Sequence, residues 1–357
     1  MDRYIIGKFL STYLFLLLIV IVITVVVDYN ENIDKLSSIP ASKVIFDYYL
    51  NFIPYFVNLF SPLFVFIAVI FFTSNLADHS EIIAMKSTGM SFKRLLKPYL
   101  LAAGIIAIIT FLLGAYVIPK GNVASTNFRN TYIRKKVITV AENVQLQVDT
   151  GVVAYISQFD NEKKSGYGFF LDKFQNKKVV SHLTAQTIQY DTISDHRYSW
   201  TLRNVHIRTL KGMREKVEYY PVLDSVILME PSDFIYTMGQ QETMTLPELD
   251  EYSTKQRMRG SANLSSFEVE YHKRFAMPFA AFILTLIGVS LSCEKRKGGG
   301  MGTSIGIGLA LSFSYILFQT ISSTFAINAG WSPMISSWIP NILFAFIALF
   351  LYKRTPQ

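Results

Sequence analysis

The sequence is poor in charge, nearly free of cysteine and empty of recognisable catalytic or nucleotide-binding signatures, and each lack excludes a class of protein. Charged residues make up 17% of the 357 positions and hydrophobic residues 51%, whereas soluble domains carry about a quarter charged residues. The deficit is local. Residues 9–27, 48–77, 98–119 and 275–293 hold no charge, and 298–352 is an uncharged run of 55 residues. One cysteine, Cys293, excludes a disulfide within the chain. The five histidines, His79, His182, His196, His206 and His272, form no H-x-x-x-H or HExxH pair, so no metal site is expected. No G-x-S-x-G elbow is present, which argues against a serine hydrolase. The stretch Gly298-Gly299-Gly300-Met301-Gly302-Thr303-Ser304 is glycine-rich like a phosphate loop. It lacks the lysine before Thr/Ser and follows no strand, and so reads as a flexible turn leading into a helix.

What is present is membrane helix. A helix through the last uncharged run would be roughly 80 Å long against a hydrocarbon core of about 30 Å, so the run crosses twice. Its turn falls at Asn328-Ala329-Gly330-Trp331-Ser332-Pro333, where Gly and Pro break the helix and Trp331 suits an interface. Six spans follow, at 9–27, 53–75, 98–118, 275–293, 303–325 and 335–352. Val25-Val26-Val27-Asp28 is a poor peptidase site, so the first span reads as a retained helix. Lys and Arg near the helix ends set the orientation. Arg3, Lys8, Lys86, Lys93, Arg94, Lys97, Lys295, Arg296, Lys297, Lys353 and Arg354 lie on one side, and only Lys35 and Lys43 on the opposite short loops. Both termini and the 76–97 and 294–302 loops are therefore expected in the cytoplasm. The net charge of +8 is largely this topological signal, and no nucleic-acid partner is needed to explain it. The spans contain no Asp, Glu, Lys or Arg, the groups that ion-coupled transporters usually hold at mid-membrane. If the protein moves something, its energy is expected from elsewhere and its cargo within the membrane is expected to be apolar.

Between the third and fourth spans lies a soluble-type segment. Residues 119–274 hold 21 Lys/Arg and 18 Asp/Glu. Val152–Ile156, Gly168–Leu171, Thr187–Tyr190 and Tyr198–Leu202 are short runs rich in β-branched and aromatic residues, separated by polar clusters at 160–166 and 191–195. This pattern predicts an all-β sandwich or related jelly roll. A helix near 245–258, with Pro247 just inside a Thr245 cap, leads back to the membrane. With no cysteine, the domain must be held by its hydrophobic core, and about 150 residues suffice for one. The chain divides as 1–118 (three spans), 119–262 (β domain with helical return) and 263–357 (three spans).

Two membrane features carry further information. Gly302, Gly306, Ala310 and Ser314 recur every four residues on the fifth span, a stripe of small residues on one helix face. It serves either tight packing within this bundle or a helix–helix seam that opens laterally. The loop after the second span reads Ser80-Glu81-Ile82-Ile83-Ala84-Met85-Lys86-Ser87-Thr88-Gly89-Met90-Ser91. Ser80 with Glu81 starts a short helix and Gly89 stops it. Such a helix is either an interfacial connector or the handle by which a permease docks on an ATPase.

At these residues the sequence resembles the LptF/LptG family, the permease subunits of the lipopolysaccharide export ABC transporter. The 80–91 stretch is similar to the family's S-E-x-x-x-(M/L)-x-(A/S)-x-G coupling-helix segment. Asp2-Arg3-Tyr4-Ile5 resembles the LptG branch more than LptF, and Glu268–Pro278 is similar to the family's E-x-H-(K/R)-R-(F/Y)-A-x-P start of the fourth span. The resemblance covers the whole chain. It implies an α-helical membrane protein with six transmembrane helices and an inserted periplasmic all-β jelly roll, working as a transport subunit rather than an enzyme. It implies a sister permease, LptF or LptG, across a cavity fed from the membrane with lipopolysaccharide. LptC and LptA would receive the lipid, and an LptB ATPase dimer would bind the ATP and Mg, leaving this chain without a cofactor. Carried onto this chain, Glu81, Ala84, Met85 and Gly89 would dock on the ATPase, with Glu81 meeting an arginine. Lys35 would meet lipid phosphates, although Asp34 stands where the family can have a second lysine. The stripe at Gly302, Gly306, Ala310 and Ser314 would line a lateral gate.

Other readings weigh less. A lipoprotein-release permease would place its outer domain after the first span, and here it follows the third. A lipid-modifying enzyme would need a cluster of His, Asp, Glu or Ser at one interface. An envelope scaffold would need neither the Glu81 helix nor an uncharged bundle.

Overall fold

The computed structural model describes residues 1–134, 140–192, 198–212, 214–234, 239–258, 264–293 and 300–355. Two compact units emerge: Met1–Lys135 with Gln241–Leu249 and Ser265–Gln357, and Lys136–Gln240 with Asp250–Leu264. The basic residues Lys295, Arg296 and Lys297, the glycines 298 and 299, and the turn residues 193–195 lie outside the described residues.

The first unit is helical. α1 (Asp2–Glu31) ends in irregular turns that lead to α2 (Leu50–Asp78). The short α3 (Glu81–Ser87) follows, and then α4 (Phe92–Leu112), which runs through a wide turn at Leu113–Val117 into α5 (Ile118–Phe128). After the β domain come α6 (Leu246–Met258), α7 (Leu264–Ser292), α8 (Gly300–Asn328) and α9 (Pro333–Arg354). Among the described residues six of these segments are long and apolar enough to cross a membrane. They correspond one for one to the six expected spans. The helices overrun those spans at one end or both, because loss of charge marks the hydrocarbon boundary and not the helix boundary. α1, for instance, begins seven residues before its uncharged run, at Asp2. Pro54, Pro62, Pro98, Pro278 and Pro340 all lie inside helices, as spanning helices tolerate when neighbours and local adjustments satisfy the freed carbonyls.

α2 is the spine of the bundle. One side of it (Leu63, Val65, Val69, Phe72) packs with Ile5, Phe9, Tyr13 and Leu17 of α1 and with Leu95, Tyr99 and Ile106 of α4. The other side (Phe66, Ile70) packs with Leu284 and Ile287 of α7, Tyr315 of α8 and Phe344 of α9. Gly288 lets α7 close on α2, since a Cβ there would meet Val69 at 2.8 Å.

The second unit is one antiparallel sheet of six strands: β1 (Val140–Asp149), β2 (Val152–Asp160), β3 (Ser165–Gln175), β4 (Lys178–Tyr190), β5 (Ser199–Lys211) and β6 (Arg214–Val226). The order is β1-β2-β3-β4-β5-β6, an up-and-down meander. The expectation of a helical membrane protein carrying an inserted all-β domain is borne out. In strand order the sheet has none of the Greek-key crossovers that define jelly rolls in general. The four segments expected as strands lie in β2 to β5. β1 and β6 escaped because they are largely polar, and β6 carries Pro221, which suits an edge strand.

A crease crosses this sheet. Cross-strand pairing skips one position in every strand, and the skipped residues fall on one line: Asn143, Ser157, Gly168, Gln186, Asn204 and Pro221. Three of them have left-handed backbone, Asn143 (φ 54°), Gly168 (φ 63°) and Asn204 (φ 54°). The extra residue reverses the side-chain alternation at the same place in all strands. In β2, Ala154 and Ile156 face inward and then Phe159; in β4, Leu183 and Ala185 and then Ile188; in β5, Trp200 and Leu202 and then Val205. Without it, half of each strand would turn its apolar side outward. With it, a single apolar face continues across the bend that such insertions produce. The core so formed contains Phe159, Phe169, Trp200, Ile227, Met229 and Phe234, and the Trp200 indole donates to the Met229 carbonyl at 3.0 Å. Tyr155, which a uniform alternation would allow inside, is on the other face, where its hydroxyl donates to Asn143 Oδ1 at 2.7 Å.

Gly168 is the tightest point of the crease: a Cβ there would sit 2.5 Å from Ser157 Oγ as well as at positive φ. Gly168→Ala is expected to cost the β domain about 1–3 kcal/mol. Limited proteolysis of the full-length protein checks this, and a variant as resistant as the parent would contradict it.

Candidate functional site

The residues singled out from sequence fall at separate places on the helical unit. α3 stands on the bundle by one face. Ile82 is buried, and Met85 and Met90 pack against the α1–α2–α4 core. The opposite face presents Ile83, 55% exposed, with Ala84, Ser87 and Thr88. Glu81 is half-buried at the first turn and makes no ion pair among the described residues. Ser80 does not cap the helix by its side chain as expected; it takes a left-handed conformation (φ 60°) that reverses the chain after α2. Gly89 ends the helical stretch at φ 85°, a conformation that favours glycine. Ile83 was missed from sequence because Ile82 and Ile83 look equivalent there. Only the packing of Ile82 shows which of the two is presented.

At the far end of α1, Lys35 sits on a turn, Ile33–Leu36, whose Leu36 is buried with Val44, Tyr48, Tyr49, Phe52 and Phe128. Lys35 is exposed, and so is Asp34 beside it. This turn is held by a residue the sequence reading used only as a poor cleavage site. Asp28, 8% exposed, accepts from the Tyr48 hydroxyl at 3.0 Å and the Tyr49 hydroxyl at 3.2 Å. Paired hydroxyl donors are what a buried carboxylate needs. Only the fold brings residue 28 to 48 and 49.

The small-residue stripe is not used for packing inside this chain. Gly302, Gly306 and Ala310 are exposed, and a Cβ at Gly302 or Gly306 would meet nothing within 4 Å. Ser314 is half-buried, its hydroxyl donating to the Ala310 carbonyl at 2.8 Å. The glycine of α8 that does pack is Gly308, against Ile70. Gly302 and Gly306 thus leave room for a neighbour that no described residue of this bundle fills.

The fourth-span motif resolves into a clasp. Arg274, 7% exposed, donates through Nε to Glu270 Oε1 at 3.0 Å, through Nη1 to the Met244 carbonyl at 2.7 Å and through Nη2 to the Gln241 carbonyl at 3.1 Å. Asn122 donates to the Glu242 carbonyl at 3.0 Å. The turn at 240–243 and the start of α6 are thereby pinned to α7 and α5. Beside the clasp lies a cavity of about 50 Å³ lined by Tyr55, Asn58, Asn122, Glu242, Glu270 and Lys273. Burial and the facing Glu270 push the Glu242 carboxyl above its usual range, only partly offset by Lys273 and Arg274. At the start of α6, Glu248 accepts the Thr245 N–H at 2.7 Å, which holds its carboxyl below the usual range.

The sequence model of the lipopolysaccharide export system permease LptF/LptG family matches residues 3–354. The chain belongs to the LptF/LptG family. Two LptG proteins, from Escherichia coli K12 and from Escherichia coli O6:H1, are each 18% identical to it over 372 residues, covering 99% of this chain and 98% of theirs. Family membership and the six spans make this a multi-pass membrane protein of the permease kind, with its β domain inserted between the third and fourth spans. In this chain α7 begins after the β domain, and Arg274, one turn beyond Glu270, ties it to the 241 and 244 carbonyls.

Arg274→Ala would leave Glu270 with only the longer Lys273 contact at 3.7 Å and two carbonyls without donors. A cost of about 3–5 kcal/mol is expected, read as a lower Tm of the detergent-solubilised protein; an unchanged Tm would contradict the clasp. A carboxyl raised in the folded state stabilises the fold while protonated, and that contribution is lost as pH rises through its folded pKa. Stability should therefore fall from mildly acid to neutral pH. Glu242→Gln should flatten that fall, and a slope identical to the parent's would contradict the assignment.

Proposed function

We propose that this chain is the LptG-type permease subunit of an ABC transporter that extracts lipopolysaccharide from the bacterial inner membrane and passes it along its β domain toward the outer membrane. The match to the LptF/LptG family along nearly the whole chain carries this reading, and the names of both relatives, lipopolysaccharide export system permease protein LptG, give the cargo and the branch. In this reading the termini and α3 are cytoplasmic and the β domain is periplasmic. The exposed face of α3, with Ile83, Ala84 and the unpaired Glu81, docks into a groove of an LptB dimer, which binds the ATP and Mg. The absence of charge from the hydrocarbon stretch of every span favours energy supplied by such a partner over an ion gradient.

The open stripe Gly302, Gly306, Ala310 and Ser314 faces the sister permease, LptF, and lets its helix approach closely. Lys35, exposed and unpaired among the described residues, meets phosphate on the lipid as a point charge. The apolar interior across the crease, where Ile156, Phe159, Phe169 and Trp200 are fully buried, would have to open to receive acyl chains, and LptC and LptA take the lipid onward.

Two outcomes test this. Glu81→Ala and Ile83→Asp should each reduce the ATPase recovered with the solubilised protein by about tenfold, as loss of a central interface contact of 1–2 kcal/mol or more does. Undiminished recovery with both would remove the docking role. A photo-crosslinker at Phe169 should capture lipopolysaccharide in cells and one at Tyr155 should not, because the two side chains lie on opposite faces of the sheet. Capture at Tyr155 alone would put the route on the wrong face.

A further inference from the structure

The structure points to a second role for the opening residues Asp2-Arg3-Tyr4-Ile5: we propose that Asp2 and Arg94 form a positioning pair that carries motion of α3 into the first span. This inference rests on the proposal that α3 docks an ATPase.

Arg94 lies in the first turn of α4, immediately beyond the Gly89 turn that follows α3. Its guanidinium meets the Asp2 carboxylate at two points, Nη1 to Oδ1 at 2.9 Å and Nη2 to Oδ2 at 2.8 Å. A two-point fork fixes an angle as well as a distance, so it resists rotation of α1 against α4. The remaining pairs among the three helices carry neutral ties of the same kind. The Tyr13 hydroxyl and Ser61 Oγ join α1 to α2 at 2.8 Å, and Thr73 Oγ1 donates to the Tyr99 hydroxyl, joining α2 to α4, at 3.1 Å. Each two of the three helices thus share a polar bond, and α3 stands on that triangle through Ile82. The Lys86 ammonium lies 5.9 Å from the centre of the Phe92 ring, next to the fork.

α1 is built to be moved from this end. Its buried residues are Ile5, Phe9, Tyr13 and Leu17, one stripe at a spacing of four, and then none before Asp28. Between Leu17 and Asp28 it presents Leu18, Val22, Ile23, Val26 and Val27, each more than half exposed. It is therefore gripped most tightly at its start, packed by only one half-buried face (Val20, Ile21, Thr24, Val25) along its second half, and held again at Asp28 before the turn that carries Lys35. A rigid helix of 30 residues reaches about 45 Å. A tilt imposed at Asp2 by α3 and α4 then appears at Lys35 with no bend in between.

Both side chains of the fork are 40–45% exposed, so its effect on stability is small and its loss can be read as a loss of coupling. The test uses the co-purified complex of this chain, its sister permease and the ATPase in proteoliposomes, reading lipopolysaccharide released per ATP hydrolysed. Asp2→Asn and Arg94→Gln should each keep the ATPase bound and hydrolysing while release per ATP falls about fivefold, the size expected for one exposed ion pair. The exchange Asp2→Arg with Arg94→Asp should recover part of that loss, the amino terminus and Lys97 near Asp2 limiting it. An unchanged ratio in the single variants would overturn the inference, as would an exchange that recovers nothing. Loss of the ATPase from the single variants would also overturn it, because the fork would then shape the docking helix itself. Absence of any ATPase from the parent complex would overturn the docking reading on which the inference stands.

Discussion

Hydrocarbon cannot solvate a charge, and the arrangement of this chain follows from keeping charge out of it. Within the bundle the helices are held by apolar packing and by neutral polar pairs. Tyr13 meets Ser61, and Thr73 meets Tyr99. Asn341 both accepts from Tyr315 at 2.9 Å and donates to the Ala276 carbonyl at 2.6 Å, tying α8, α9 and α7 together. Asp2 with Arg94, and Glu270 with Lys273 and Arg274, lie outside the uncharged stretches, toward helix ends. Those stretches offer no Asp, Glu, Lys or Arg for a proton or cation relay.

Those ends are built differently. Where α2 turns into α3 and α4, a short helix presents Ile83 and Ala84 beside Glu81, a carboxylate with no ion pair among the described residues. Where α1 gives way to α2, the buried Asp28 gathers two tyrosines and fixes the turn that presents Lys35. Where α7 begins, Arg274 fastens the chain as it returns from the β domain. The β domain solves a different problem with backbone geometry. A crease of one skipped residue per strand lets a single sheet bend while keeping one apolar face.

Much of this was legible in the sequence, because the membrane imposes its signal on composition. Five uncharged runs, the last long enough to cross twice, correspond to six helices, and polar clusters marked the boundaries between β2 and β3 and between β4 and β5. The fold was missed where a signal was local and polar. β1 and β6 were not picked out because neither is a compact run of β-branched and aromatic residues, and the crease is invisible because Asn, Ser, Gly, Gln and Pro are also the residues of ordinary turns. Glu81, Ala84, Met85 and Gly89 were singled out by the resemblance of the 80–91 stretch to the family's coupling-helix segment, and the structure places the first three on one short helix and Gly89 at the turn beyond it. The stripe on α8 was found by spacing, although only the coordinates show that it faces away from its own bundle. Asp28 and the grip of Arg274 on the 241 and 244 carbonyls depend on contacts between residues 20 or more positions apart, which spacing cannot reveal.

The central claim is that a bundle with no charge in its interior moves lipid with energy from a partner. It is tested most directly by reconstituting this chain with its co-purified partners in lipopolysaccharide-loaded proteoliposomes and measuring lipid release while ATP and the transmembrane ion gradients are varied independently. The account predicts release that requires ATP hydrolysis and is indifferent to collapse of the proton and sodium gradients. Release driven by a gradient without ATP would contradict it.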